Sequence, residues 1–160
     1  MKRIALIIMA AALVFGPATA MPEQNAEVVL DGQRIVFPDQ RPIIIQDRTL
    51  VPLRGVFEAA GAKVSWDGDS EIATVIFNEI ELQLQIGQLI FFRKNPDTGE
   101  FGGHNLPSGV APAIINNRTL IPLRDVSELL GFTVEWDDDT KTAIITTSAQ
   151  ISARTIVIGR

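Results

Sequence analysis

Arg48-Thr49-Leu50-Val51-Pro52-Leu53-Arg54 recurs as Arg118-Thr119-Leu120-Ile121-Pro122-Leu123-Arg124. Aligning residues 42–76 with 112–146, at a fixed offset of 70 and without a gap, gives 17 identities in 35 positions. A repeat of that quality decides the architecture before any single element is read, because two like segments build two like halves. In the first copy Ile43-Ile44-Ile45 is a short β-branched strand, and Gln46-Asp47 turns it into the signature. Pro52 is placed at the first helical position, where a missing N–H costs nothing. The spacing of Leu53, Val56, Phe57 and Ala60 predicts a helix from Leu53 to Ala60 with one apolar face, and Gly61 stops it. The second copy repeats the plan with Pro122, Leu123, Val126 and Leu130, and Gly131 as the stop. Arg54 with Glu58, and Arg124 with Glu128, point outward.

Each helix is followed by a hairpin. Lys63 to Trp66 turns through Asp67-Gly68-Asp69-Ser70 into Ile72 to Phe77; Thr133 to Trp136 turns through Asp137 to Thr140 into Thr142 to Thr147. Alternation with polar neighbours places Val64 with Trp66, and Val134 with Trp136, on a buried face, so both tryptophans read as core anchors more readily than as sugar-stacking platforms. Upstream, Glu27 to Phe37 is a hairpin about Asp31-Gly32. Downstream of the first copy, Ile80, Leu82, Leu84 and Ile86 alternate with Glu81, Gln83 and Gln85, a strand with one solvated face. The copies differ at residues 93–109, a polar, glycine-rich stretch that reads as a long loop, and such loops are uncommon unless functional or mobile.

The predicted organisation is therefore a signal peptide over 1–20 and one unit over 21–160. That unit comprises repeat 1 (about 27–90), the variable loop 93–109, repeat 2 (about 110–147) and a C-terminal strand over 151–158. The fold class is α+β. Two pseudo-repeated halves, each a short helix packed on antiparallel strands and hairpins, form one compact unit. The leader is read from Lys2 and Arg3, the apolar run Ile4 to Phe15, the break at Gly16-Pro17 and the small-residue cleavage site Ala18-Thr19-Ala20. The run is too short to anchor the mature chain in a bilayer. The expected location is secreted, extracellular or associated with the cell wall.

Without Lys2 and Arg3, 12 basic residues face 19 acidic ones, a net charge of −7. An acidic chain with no basic run is a poor nucleic-acid binder. There is no cysteine, so the core alone must hold the fold, and about 140 mature residues suffice.

The paired Arg-Thr-Leu-Val/Ile-Pro-Leu-Arg segments, each followed by helix, glycine and Val-x-Trp-Asp, resemble the copper amine oxidase N-terminal-like domain. The resemblance covers about residues 27–147. It implies a tandem module of exported Gram-positive proteins, named after a stalk-like domain that lies apart from the catalytic core of certain copper amine oxidases. Its relatives join the copies with a short Asn-Gly-Lys turn, where this chain has the longer stretch 93–109. The oxidase site itself resembles three histidines beside a tyrosine-derived cofactor. Here there is one histidine, His104, and no tyrosine, so that copper site cannot be assembled.

No other chemistry is written plainly in the residues. His104 near Ser108 lacks a Gly-x-Ser-x-Gly elbow, and one histidine makes a poor metal site. The aspartates at the two hairpin tips could attract calcium, yet neither loop has the EF-hand pattern, and aspartate favours turns by itself. No catalytic, cofactor-binding or metal residue is assigned. Arg48, Arg54, Arg118 and Arg124, with Phe101 and His104, are the candidate binding residues; the arginines could grip carboxylates of a partner or bond within the scaffold. Pro52, Leu53, Gly61, Trp66, Pro122, Leu123, Gly131 and Trp136 form the structural signature. The expectation is a non-catalytic binding or assembly module of the bacterial envelope, without a cofactor. Its partner would be a protein or a wall polymer, and a homo-oligomer stays open. The alternatives are a wall-acting hydrolase with a carboxylate pair, or a secreted inhibitor that presents 93–109.

Overall fold

The computed structural model describes residues 25–149; the signal peptide and the strand expected at 151–158 lie outside them. In chain order the first copy and its lead-in comprise β1 (Glu27–Leu30), β2 (Gln33–Arg34), β3 (Ile43–Ile45), β4 (Arg48–Pro52), α1 (Leu53–Phe57), β5 (Lys63–Asp67), β6 (Ile72–Phe77) and β7 (Ile80–Gln85). A hairpin of β8 (Ile90–Lys94) and β9 (Phe101–Asn105) separates the copies. The second copy is β10 (Ala113–Ile115), β11 (Arg118–Pro122), α2 (Leu123–Leu129), β12 (Thr133–Asp137) and β13 (Thr142–Thr146).

The two signature segments meet each other. β4 and β11 pair antiparallel at the centre of a sheet ordered β10-β11-β4-β3, with Val51 opposite Ile121 and each proline opposite the other copy's leucine. β-Branched residues fill the middle of this seam, and both central side chains are fully buried. The prolines sit at the strand ends, where their missing donors are tolerated. Pro52 has extended ψ of 117° and Pro122 of 111°, so each is the last strand residue and the helix N-cap. That corrects their placement at the first helical position. The turns Gln46-Asp47 and Asn116-Asn117 have positive φ at both residues, the type I′ geometry whose twist suits a tight hairpin.

The helices are short. Regular α1 ends at Phe57, three residues before the expected Ala60. The chain then closes on itself, with Gly61 N–H donating to the Glu58 carbonyl and Ala62 N–H to that of Phe57. Gly61, at φ +88°, supplies the left-handed residue that this Schellman closure requires. Gly131 does the same for α2. At the join, Phe57 and Ala62 of the first copy are matched by Ser127 and Phe132 of the second. The bulk moves from one side of the closing hydrogen bond to the other.

Two further sheets flank the central one. One is ordered β5-β6-β7-β8-β9 and the other β12-β13-β1-β2. β1 precedes the first copy in sequence but completes the second copy's sheet, lying parallel to β13, the one parallel pairing among the described strands. It occupies beside β13 the place that β7 occupies beside β6. The Asp31 carboxylate accepts the Thr147 N–H at 2.9 Å and its hydroxyl at 2.8 Å. The two ends of the described region are thus tied into one half. A single core receives side chains from both copies, among them Val28, Phe57, Leu82, Leu84, Leu123 and Ile145. Each such burial contributes about 1.5–3 kcal/mol. Leu82 and Leu84 are fully buried, as the alternation of β7 predicts.

Candidate functional site

The stretch expected to be a loop at 93–109 is largely a hairpin. Asn95 organises its tip: its side-chain oxygen accepts the N–H groups of Asp97 and Thr98, and its backbone bonds to Gly99 and Glu100. The strand β9 escaped sequence reading because Gly102-Gly103 has low β propensity and no alternation to read. All five β9 residues are exposed, and β9 is the edge of its sheet. The bonds from Asn95 N–H to Glu100 and from Leu106 N–H to Leu89 fix the parity of the ladder. Gly102 and His104 therefore face β8, while Phe101, Gly103 and Asn105 turn their backbone N–H and C=O groups outward.

Register places Ile90, Phe92 and Phe101 on one face of this hairpin. Ile90 and Phe101 are each 40% exposed, which leaves an apolar strip beside an unpaired edge. Phe101 lies under the Lys94 ammonium, 5.9 Å from its ring centroid, and Lys94 also bonds Glu81 at 2.9 Å. His104 stacks on buried Phe91 at 5.3 Å on the opposite face. Of the two candidate residues in this stretch, Phe101 faces out with the strip, while His104 braces the sheet.

The four arginines are divided between two clefts. Each cleft takes the start of one copy's signature strand and the helix and tryptophan of the other. The first, of about 630 Å³, holds Arg48, Arg124 and Trp136. The second, of about 570 Å³, holds Arg118, Arg54 and Trp66. The two linings correspond at the repeat offset, down to Pro107-Ser108 in one and Phe37-Pro38 in the other. Here the sequence reading of Trp66 as a core anchor is corrected, while Trp136 does pack against the core. Trp66 is 36% exposed, and Trp136 is half-buried, with its indole N–H donating to Asp138 at 3.3 Å. Both alternate onto the core-facing side, but β5 and β12 are edge strands, so each ring also lines its cleft, and Trp66 is left exposed.

The clefts differ in charge pairing. In the second, Arg118 is paired to Asp39, and Arg54 stands 4.0 Å from Glu58. In the first, Arg48 donates to the Asp47 carbonyl at 3.2 Å. Among the described residues, neither Arg48 nor Arg124 has a carboxylate within 4.0 Å. Asp125, buried in the cleft floor, holds Ser108 instead: its Oδ2 accepts the Ser108 hydroxyl at 2.6 Å and N–H at 3.1 Å. The Ser108 hydroxyl in turn accepts the Val110 N–H. Ser108 thus serves a loop clasp, and His104 stacks elsewhere, so the two are not joined as nucleophile and base.

The hairpin aspartates serve their turns. Asp67 accepts the Ser70 hydroxyl at 2.7 Å and the Asp69 N–H at 3.0 Å, and these bonds hold its carboxyl below the usual carboxylate range. Asp137 is lowered by bonds from Thr140 and Asp139, and Asp138 by Lys141 and the Trp136 indole. Among the described residues no three His, Cys, Asp or Glu side chains converge as a metal site. None of the described helices is long and apolar enough to cross a membrane.

Two halves joined through a shared strand pair, with the β8–β9 hairpin between them in sequence, define a tandem α+β module. The chain belongs to the copper amine oxidase N-terminal domain family, whose profile matches residues 29–145. That domain is non-catalytic. A curated relative, a protease inhibitor of Brevibacillus choshinensis, is 29% identical over 148 residues, which is 89% of this chain and 42% of that protein. The chain thus spans less than half of that relative's length. No solved structure matches.

Proposed function

We propose that this chain is an exported, non-catalytic protein-binding module, and that the β8–β9 hairpin is the surface it presents. The observation that carries this reading is the open edge of β9. Three outward backbone positions, Phe101, Gly103 and Asn105, run beside the exposed Ile90 and Phe101 side chains. An extended segment of a partner can add to such an edge by main-chain hydrogen bonds, with apolar side chains supplying further affinity. Natural edges are commonly blunted by charge, proline or a bulge; the run Phe101-Gly102-Gly103-His104-Asn105 carries none of these. The organised tip favours an inhibitor-like mode, since a preformed hairpin loses little entropy on docking. The relative's description as a protease inhibitor supports a protease as the partner class.

The test is Asn105→Pro. It removes one outward N–H while sparing the bonds to β8. We expect purified secreted serine, cysteine and metallo-proteases, screened for inhibition and for binding by interferometry, to include at least one partner of the wild type. Asn105→Pro should weaken that partner at least tenfold with an unchanged melting curve. A partner held equally well by wild type and Asn105→Pro would remove β9 from the interface, and a screen without any partner would count against the protease class.

A further inference from the structure

The internal repeat supplies a control for its own arginines. Arg48 and Arg118 occupy equivalent positions, as do Arg124 and Arg54. In the second cleft Arg118 is answered within the fold by Asp39, while Arg54 stands 4.0 Å from Glu58, at the limit of an ion pair. In the first, Gly109 stands where Asp39 stands at the repeat offset, so the counter-ion of Arg48 is missing from the sequence itself. Arg124 keeps its Glu128 neighbour, but not within 4.0 Å. The position equivalent to Gly55 is Asp125, which is spent on the Ser108 clasp. That clasp holds the Pro107-Ser108 wall in place, and Trp136 lines the same cleft.

We propose that the cleft between Arg48, Arg124 and Trp136 binds a short peptide segment bearing a carboxylate flanked by apolar side chains. Arginine is suited to this task because its planar fork can engage a carboxylate bidentately. The apolar walls, Pro107, Leu123, Val134 and the Trp136 ring, take the flanking side chains. Asp47 and Glu128 also line this cleft, as do Asp125, held by Ser108, and Asp138, paired with Lys141 at 2.7 Å. They disfavour a uniformly charged polymer such as a uronate glycan, whose successive carboxylates would meet them, and leave a segment with an isolated carboxylate as the better fit. The cleft shares no lining residue with β9, and neither reading depends on the other.

The experiment is selection of a displayed random heptapeptide library on the full chain, followed by affinity measurement of the enriched peptide. The expected result is enrichment of aspartate or glutamate beside apolar residues. Binding should fall at least tenfold in Arg48→Gln and in Arg124→Gln, and less than twofold in Arg118→Gln and Arg54→Gln. Arg48→Lys keeps the charge without the fork and should fall in between. Unchanged thermal melts separate loss of binding from loss of fold. No acidic enrichment, or equal loss in both clefts, would overturn the proposal. So would displacement of the peptide by a glucuronate oligosaccharide at lower carboxylate concentration than by the free peptide.

Discussion

Val51 of β4 lies directly opposite Ile121 of β11, and neither side chain is exposed to solvent. This pair is the contact through which the two copies become one domain. Each side chain belongs to the core shared by both halves. Truncating Ile121→Ala should cost about 2–5 kcal/mol, the range for removing a large buried aliphatic side chain. Because the residues face one another, the double variant Val51→Ala/Ile121→Ala should depart from the sum of the singles by about 0.5 kcal/mol or more. Urea unfolding followed by tryptophan fluorescence measures both. Each half contains one tryptophan, so single-tryptophan versions should share one transition if the seam couples the halves.

Asp125 and Ser108 present a different kind of dependence. Asp125 is nearly buried, and two Ser108 donors converge on one of its oxygens. Asp125→Ala leaves those donors unanswered, at a cost of about 1–3 kcal/mol. Asp125→Asn keeps one acceptor oxygen and should cost less. Limited proteolysis should show the Pro107–Val110 segment cut faster in Asp125→Ala, and denaturant melts give the energetic order.

Much of the fold was legible because its signals were local. The Leu53, Val56 and Phe57 face, the glycine stops at 61 and 131, and the alternation of β7 each rest on residues within a few positions of one another. What was not legible was pairing at a distance. Nothing in Glu27–Leu30 says that it will lie parallel to β13, since strand register across a gap of more than a hundred residues leaves no periodic mark. Trp66 was misread for a related reason: alternation gives the face, but only sheet order shows that β5 is an edge. The candidate site was half legible. The four arginines stood out in the repeat, yet the difference between paired Arg118 and unpaired Arg48 depends on Asp39 and Gly109, which lie outside the aligned segment.

The hairpin turns set a pH dependence with a definite sign. The carboxyls of Asp67, Asp137 and Asp138 all lie below their ordinary value of 3.8 because they accept hydrogen bonds in the folded turns. A depressed folded value means that the unfolded chain binds the proton more readily. The stabilisation is then fully present above the unfolded value, and it is lost as pH falls through the folded one. Stability should therefore drop below about pH 4, where these groups begin to bind protons. Replacing Asp67→Asn together with Asp137→Asn should flatten that drop without altering the profile between pH 5 and 8. Denaturant midpoints collected from pH 2.5 to 8 check it, and an unchanged acid limb in the double variant would refute the turn assignment.

Ser127 is where the second copy carries a defect that the first does not. Its equivalent in the first copy is Phe57, which is fully buried in the shared core. The lost ring volume is made up by Phe132, which packs edge-on against Phe77 at 4.9 Å between centroids. Ser127 itself is fully buried, and its hydroxyl has no protein hydrogen-bond partner. Taking a hydroxyl from water without giving it a partner costs about 1–3 kcal/mol in proteins. Ser127→Ala removes the hydroxyl, keeps the Cβ and raises helix propensity, all in the same direction. It should stabilise the domain by about 1 kcal/mol, on the low side of that cost because a small cavity is left behind. Ser127→Phe, which copies the first half, should instead destabilise, since Phe132 already fills the space that Ala62 leaves open beside Phe57. A melt of the two variants beside wild type separates these outcomes, and a destabilised Ser127→Ala would mean that the hydroxyl is satisfied in solution.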